Sequence, residues 1–380
     1  MQGGTYSSSA YGIEMSLHIA HSAYEKKGIL MTESSQLYED EDLYSLPAHD
    51  PLGILSSTRI VVEQGEYVWI DQERVNHLAE QWIQGTPALP VQNEQTEVNQ
   101  PLWDNRYHFH DGTERTVNWI LVLDALNFCF WAEKDQPRWS IDYKGETLNG
   151  YWAEAAALTR AVEEGLPLWD AEYLSTINSE TVAHIFRGTQ TIPLLQQRVE
   201  NAQEVGRVLL AQYDGQFVHA IEQARGSAVK LVQQLIANFP SFRDVATYHS
   251  REVHFFKRAQ ICAADLANAF GNKQWGEFTD LDQLTIYADY KLPQVLRHYK
   301  VLEYHSIVAE HVDHEDLLEA GSEEEVEIRA CTIWACELLR RALLQRGRSV
   351  TNTDIDQRLW LLGQNITGMR PYHRTRTIYY

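Results

Sequence analysis

The amino-acid sequence predicts a mainly α-helical protein with a small β component, and three observations carry that prediction. From Thr116 onward, apolar residues recur at helical spacing in segment after segment. The breaks between these segments hold Gly, Pro, Ser and Asp, the residues that start and stop helices. Strand-like alternation is confined to a few short stretches, and neither an internal repeat nor a heptad array runs through the 380 residues.

Residues 1–48 mix Ser, Gly, Glu, Asp and Tyr and end in the acidic LYEDEDLYSLPAHDP. They read as an N-terminal extension, partly helical through MSLHIAHSAYEKKG, with Pro47 and Pro51 marking its boundary. Residues 49–100 read as a small strand and helix segment packing on the body. Within it, STRIVVEQGEYVWID alternates as a short strand pair around Gln64 and Gly65. Asp71 is placed to cap a helix through RVNHLAEQWIQG that stops near Gly85, and the polar stretch 86–101 reads as a linker.

Residues 101–380 read as a helical domain that carries whatever chemistry the chain performs. TVNWILVLDALNFCFWAE is apolar almost all round and belongs in the interior. RWSIDYKGETLNGYW is a hairpin turning at Lys144 and Gly145. Helices follow in AEAAALTRAVEEG, SETVAHIFRG, PLLQQRVENAQEVGRVLLAQYDG, SAVKLVQQLIANF and REVHFFKRAQICAADLANAFG, the last stopping at Gly271. In LTIYADYKLPQVL, Pro293 suits the first turn of a helix and pushes Leu292 towards an extended conformation. Asp289 then lies just upstream of that helix, in a turn or short extended piece.

Composition excludes several function classes. An apolar fraction of 44% supplies a real core, yet no run of about 18 apolar residues predicts a membrane-spanning helix. MQGGTYSSSAYGIEMS lacks the basic-then-apolar order of a signal peptide, so a cytoplasmic location is expected. Cys129, Cys262, Cys331 and Cys336 form no C-x-x-C pair and read as buried thiols, not a disulfide frame or zinc site. A formal charge of −21 argues against gripping a polyphosphate, so a small-molecule substrate is expected and no direct nucleic-acid or membrane partner. One region runs the other way: from Arg340 to Tyr380 eight arginines face two acids, Asp354 and Asp356. It is either a solvated basic surface or a local site for one phosphate.

Motifs narrow the field further. HFHDG offers His108, His110 and Asp111, but the βα alternation of a metal-dependent hydrolase does not follow it. HSIVAEHVDHEDLLE offers His311, His314 and Glu315 in an acidic helix that matches no zincin, and His18 and His21 fall in the extension. No metal is expected. With no P-loop, no G-x-G-x-x-G after a strand and no G-x-S-x-G elbow, no nucleotide cofactor is expected either.

What remains is charge inside apolar sequence. Asp124 and Asn127 interrupt ILVLDALNFCFW, Lys257 and Arg258 follow Phe255 and Phe256, and Asp289 lies between Tyr287 and Tyr290. Glu325, Glu327 and Arg329 lead into ACTIWACELL. Each alone is a cap, a salt bridge or a surface residue. Together, in a chain with 11 tryptophans and 19 tyrosines, they suggest a polar, aromatic-walled pocket of the kind that suits a flat heterocycle.

At these same residues the chain resembles the queuosine salvage proteins, the queuosine 5′-phosphate N-glycosylase/hydrolases. The resemblance rests on DALNFCFW at 124–131, YKGETLNGYWA at 143–153, FPSFRDV at 239–245 and FFKRAQICAAD at 255–265. It continues through YADYKLPQVL at 287–296, EEVEIRACTIW at 324–334 and PYHRTRTIYY at 371–380, and spans roughly residues 50–380. It implies hydrolysis of the N-glycosidic bond of queuosine 5′-monophosphate to queuine and ribose 5-phosphate. It also implies a helical body similar to helix-hairpin-helix DNA glycosylases. The catalytic carboxylate of the YADY motif maps onto Asp289, and the lysine of FYKRAQ maps onto Lys257, with Phe256 here where a tyrosine stands.

The chemistry agrees with that implication. Cleaving a ribosyl C–N bond builds positive charge on the sugar, which a carboxylate in a dry site stabilises. Asp289 either attacks the sugar, activates water or stabilises charge. A 7-deazapurine has carbon where purines are protonated at N7, so its departure needs help at another edge. Lys257 is expected there or beside Asp289, with Glu325, Glu327 or Asp124 on the base edge. Asn127, Phe128, Tyr287, Tyr290 and Arg329 are expected around the substrate, and His373, Arg374 and Arg376 on the 5′-phosphate. Two other classes stay open: a non-catalytic helical binding protein for tRNA or a tRNA-modification partner, and a phosphorolytic nucleosidase.

Overall fold

The helix Ile54–Gln64 (α1) shows burial deciding local structure in this computed structural model, which describes residues 42–85 and 103–380. Its buried residues Ile54, Leu55, Thr58, Val61 and Val62 form a stripe at helical spacing. That stripe lies against the long helix Glu323–Gln345, where Trp334 Nε1 donates to Thr58 Oγ1 at 3.0 Å. The expected strand pair around Gln64 and Gly65 is corrected accordingly, because the buried face outweighs the strand propensity of the IVV run. Residues 46–380 form one unit. The expected helix through MSLHIAHSAYEKKG, with His18 and His21, and the expected linker 86–101 lie outside the described residues.

After α1 the strand Val68–Ile70 (β1) pairs antiparallel with residues 302–304, far along the chain. Glu327 pins its entry, accepting from the backbone N–H of Glu66, Tyr67 and Val68 at 3.1, 2.7 and 3.0 Å. Gln72–Gln84 (α2) starts on Asp71, whose carboxylate accepts from Arg74 N–H at 2.9 Å, and stops on Gly85 at φ +61°. Glu114–Leu126 (α3) is buried from Thr116 to its last residue, as its apolar sequence requires. Ser140–Tyr143 (β2) and Glu146–Asn149 (β3) form the expected hairpin, with Lys144 and Gly145 both at positive φ, +48° and +87°.

Gly150–Glu163 (α4), Ala171–Ser175 (α5), Ser179–Ile185 (α6) and Leu195–Gln212 (α7) follow, and α7 packs on α3, α5 and α6. The α5–α7 approach is set by Gly206: a Cβ there would stand 2.3 Å from Ser175 N and 2.6 Å from Ala171 O. Gly206→Ala is therefore expected to cost about 1–3 kcal/mol through overpacking against rigid backbone. The check is a lower urea midpoint at unchanged slope.

Val218–Ala224 (α8) and Ala228–Asn238 (α9) lead to the hairpin Val245–Tyr248 (β4) and Arg251–His254 (β5). Lys257–Ala269 (α10) begins only after Phe256, which adopts φ +49°. This corrects the single helix expected through REVHFFKRAQICAADLANAFG, because REVH completes a β ladder before the helix can start. Lys291–His298 (α11) opens two residues ahead of Pro293. Leu292 is thus helical and not extended. Pro293 is tolerated because a first-turn residue has no intrahelical acceptor for the N–H that proline lacks.

The chain ends through Leu302–Tyr304 (β6), Ser306–Asp313 (α12), Leu317–Leu318 (β7), Glu323–Gln345 (α13), Asn352–Asn365 (α14) and Arg374–Thr375 (β8), with β8 parallel to β7. α1, α2, α11 and α14 all pack on α13, whose residues are buried through most of its length. The described residues are mainly helical, with four two-stranded pieces of sheet. None of their helices is long and apolar enough to cross a membrane, and all four cysteines are buried free thiols.

Candidate active site

The end of α3 turns its last carbonyls inward, where a helix must find donors. Three cations supply them. Arg258 donates to the carbonyls of Asp124, at 3.2 Å, and Ala125. Arg198, ion-paired at 3.4 Å with the equally buried Glu154, donates to those of Leu126, Phe128 and Cys129. Lys257 Nζ donates to Asn127 O at 3.3 Å. The Arg198 guanidinium also stacks 4.3 Å from the Phe128 ring centre. This cage fixes Asn127 and Phe128 in the wall of a cavity, partly open to solvent, between α3, α10, α11 and α14.

Asp289 sits in that cavity at the head of α11. One oxygen accepts from the backbone N–H of Lys291 and Leu292 at 2.7 and 2.9 Å, so the carboxylate caps the helix. The other oxygen has no hydrogen bond among the described residues. Burial raises the Asp289 pKa above the usual carboxylate range, opposed by the Lys257 ammonium and the two amides. Burial lowers the Lys257 pKa, opposed most strongly by Asp289. The pair is thus electrostatically joined inside a largely dry site.

One ion pair holds the backbone beneath both residues. Arg329, from α13, donates to Asp244 at 3.0 and 2.6 Å and, through Nε, to Ala288 O at 3.1 Å. Asp244 in turn accepts from Lys257 N–H at 3.2 Å. Arg329 therefore ties the residue before Asp289 to the first residue of α10.

The structure brings Asp289, Lys257, Asn127, Phe128, Tyr287 and Tyr290 together on the cavity wall. Others expected near substrate lie behind it. Glu325 accepts from Tyr380 Oη at 2.7 Å, Glu327 anchors β1 and accepts from Tyr248 Oη at 2.9 Å, and Arg329 is ion-paired with Asp244 and, at 3.6 Å, with Glu325. Asp124 is fully buried beside Asp265, one layer back from the cavity. In the basic tail, Arg374 pairs with Glu315 at 2.7 Å, Arg376 pairs with Glu133, and His373 is buried against Tyr380 Oη at 3.2 Å. These three are not on the cavity wall, because acids of the body already neutralise the arginines.

Histidine clusters are likewise dispersed. His108 is stacked on Trp103 at 4.3 Å between ring centres and His110 lies against Phe270, while His311 and His314 end α12. Among the described residues no three His, Cys, Asp or Glu side chains converge as metal ligands.

Several cavity residues escaped the sequence reading. Asp265 had a signal: it stands eight residues after Lys257, on the same face of α10 as Ile261. Asp356, which accepts from Tyr287 N–H at 2.7 Å, sits in the polar run TNTDIDQ, where nothing distinguishes it from a surface acid. Arg138 and Lys291 both reach the wall beside Tyr372, at 5.6 and 5.7 Å from its ring centre. Arg138 has no carboxylate partner among the described residues, and its charge joins burial in lowering the Lys291 pKa. Trp152 and Trp360, 5.9 Å apart, complete an aromatic wall.

Residues 107–380 match the family of queuosine salvage proteins. A queuosine 5′-phosphate N-glycosylase/hydrolase of Sphaerobacter thermophilus is 48% identical over 332 residues, 87% of this chain and 98% of its own. The protein of the same name from Mus musculus is 34% identical over 345 residues, 87% of this chain and 99% of its own. That of Schizosaccharomyces pombe is 32% identical over 304 residues, 73% and 87% of the two chains. The motifs that build the α3 cage, the Lys257–Asp289 pair and the Arg329 anchor all fall inside the matched span, and this chain belongs to the queuosine salvage protein family.

Proposed function

We propose that this chain hydrolyses the N-glycosidic bond of queuosine 5′-phosphate, releasing queuine and ribose 5-phosphate. The observation that carries the proposal is Asp289: a carboxylate with one oxygen locked by backbone amides and the other unbonded, in a cavity walled by aromatic rings. As the C1′–N bond stretches, the sugar gains positive charge, and a fixed anion there needs no reorganisation to stabilise it. Asp289 then takes a proton from the water that adds to C1′. Lys257 keeps Asp289 ionised and oriented. The flat base lies among Tyr287, Trp152 and Trp360.

The 5′-phosphate goes to Arg138 and Lys291, two cations on one wall, neither of them ion-paired to a carboxylate among the described residues. Charge-assisted hydrogen bonds are worth about 1.5–3 kcal/mol each. Arg138→Met is accordingly expected to lower kcat/KM on the phosphorylated substrate about 10- to 100-fold and to leave the much slower cleavage of unphosphorylated queuosine unchanged. Equal losses on both would remove the phosphate from Arg138.

The direct test incubates pure protein with queuosine 5′-monophosphate in phosphate-free buffer and resolves products by chromatography. Queuine with ribose 5-phosphate is the expected result. A requirement for added phosphate, with ribose 1,5-bisphosphate as product, would identify a phosphorolytic enzyme. No queuine at all would leave a binding protein.

A further inference from the structure

Behind the cavity lies an acidic pair that the roles given to Asp289 and Lys257 do not use. Asp265 lines the wall, and Asp124 stands directly behind it at 0% exposure. Among the described residues, and apart from the Cys262 thiol, a weak donor, neither Asp124 oxygen has a hydrogen-bond partner if both carboxyls are ionised. A buried carboxylate pair in that state has two desolvated charges and no donor between them. One proton held between the two acids removes both defects.

The opposite side of Asp265 is also organised. His108 Nδ1 is held by the Asp104 backbone, 2.9 Å from its O and 3.1 Å from its N, and this turns Nε2 to within 2.9 Å of Tyr151 Oη. Tyr151 then donates to Asp265 Oδ2 at 3.4 Å. Tyr151 and His108 are positioning residues: they engage Oδ2 of Asp265, which leaves Oδ1 to share the proton with Asp124. Among the described residues, Lys257, Arg258, Tyr287 and Glu154 are the remaining charged or titratable groups around the pair.

We infer that Asp265 is the acid that protonates the departing base, its proton held ready by sharing with Asp124. This rests on the glycosidic cleavage proposed above and supplies the leaving-group assistance a 7-deazapurine needs. The C1′–N bond breaks with its electron pair on the base, and the Asp265 proton enters the base at a ring heteroatom. Water adds to C1′ and gives its proton to Asp289, from which cavity water returns one to the acid pair. Consistent with this role, burial pushes the Asp265 pKa up to about 7.

The test compares queuosine 5′-monophosphate with 4-nitrophenyl β-ribofuranoside 5-phosphate, whose leaving group departs without protonation. Asp265→Asn should lose about 10²- to 10⁴-fold in kcat on the first and less than about 10-fold on the second. Equal losses on both overturn the inference. Asp124→Asn removes the like charge that favours the protonated acid, so the high-pH fall of kcat/KM on queuosine 5′-monophosphate should move to lower pH. No movement overturns the inference as well. This second arm decides alone if Asp265→Asn does not fold or the nitrophenyl glycoside is not cleaved by wild type. Wild type inactive on queuosine 5′-monophosphate would instead sink the underlying cleavage reading.

Discussion

Asp289→Asn is expected to lose at least about 10³-fold in kcat while folding at least as stably as wild type at pH 7. The amide oxygen of asparagine can still accept from Lys291 and Leu292 N–H, so the cap on α11 survives and only the charge is lost. The stability sign follows from linkage. The folded pKa of Asp289 is raised, so folding favours its protonated form. Its ionisation therefore subtracts stability as pH rises from the ordinary carboxylate range through the folded value, and at pH 7 the subtraction is complete if the folded value lies below 7. A neutral isostere avoids it. Asp289→Ala, in contrast, loses the cap and about 1 kcal/mol with it. Urea titrations of the three proteins beside single-turnover assays make the comparison. An asparagine variant that is both active and less stable would make Asp289 a cap and nothing more.

That contrast explains what the sequence could and could not disclose. Asp289 was legible as a carboxylate inside apolar sequence just before a helix, because proline and the aromatic residues around it are local signals. The same logic located the interior of α3 and the hairpin at Lys144 and Gly145. It failed where partners come from far along the chain. IVVE in α1 reads as strand until α13 covers its face, and REVH reads as helix until β4 pairs with it. Arg374 and Arg376 look like anion ligands until Glu315 and Glu133 take them. Arg138, by contrast, is one arginine in the polar run KDQPRW and becomes notable only because no acid among the described residues pairs with it. A cation's role is set by which acids the fold leaves beside it, and that is a tertiary fact.

Arg329 carries the second large effect. Replacing it with methionine is expected to destabilise the protein by about 3–5 kcal/mol, because the Asp244 carboxylate is left buried without its counter-charge. The loss should appear as a lower urea midpoint, with kcat reduced as well, although Arg329 does not line the cavity. The reason for the second effect is geometric: Arg329 Nε holds Ala288 O, and Asp244 holds Lys257 N–H, so both residues proposed for the chemistry, Asp289 and Lys257, lose a backbone support. The double variant Asp244→Asn/Arg329→Met separates the two contributions. Removing both charges relieves the Asp244 share of the electrostatic penalty, while the buried Glu325, 3.6 Å from Arg329, still loses its cation, so the double variant should lose less stability than the sum of the single losses without returning to wild type. The rate should not recover, since no side chain then reaches Ala288 O. Recovery of rate in step with stability would mean that Arg329 supports the fold without positioning Asp289.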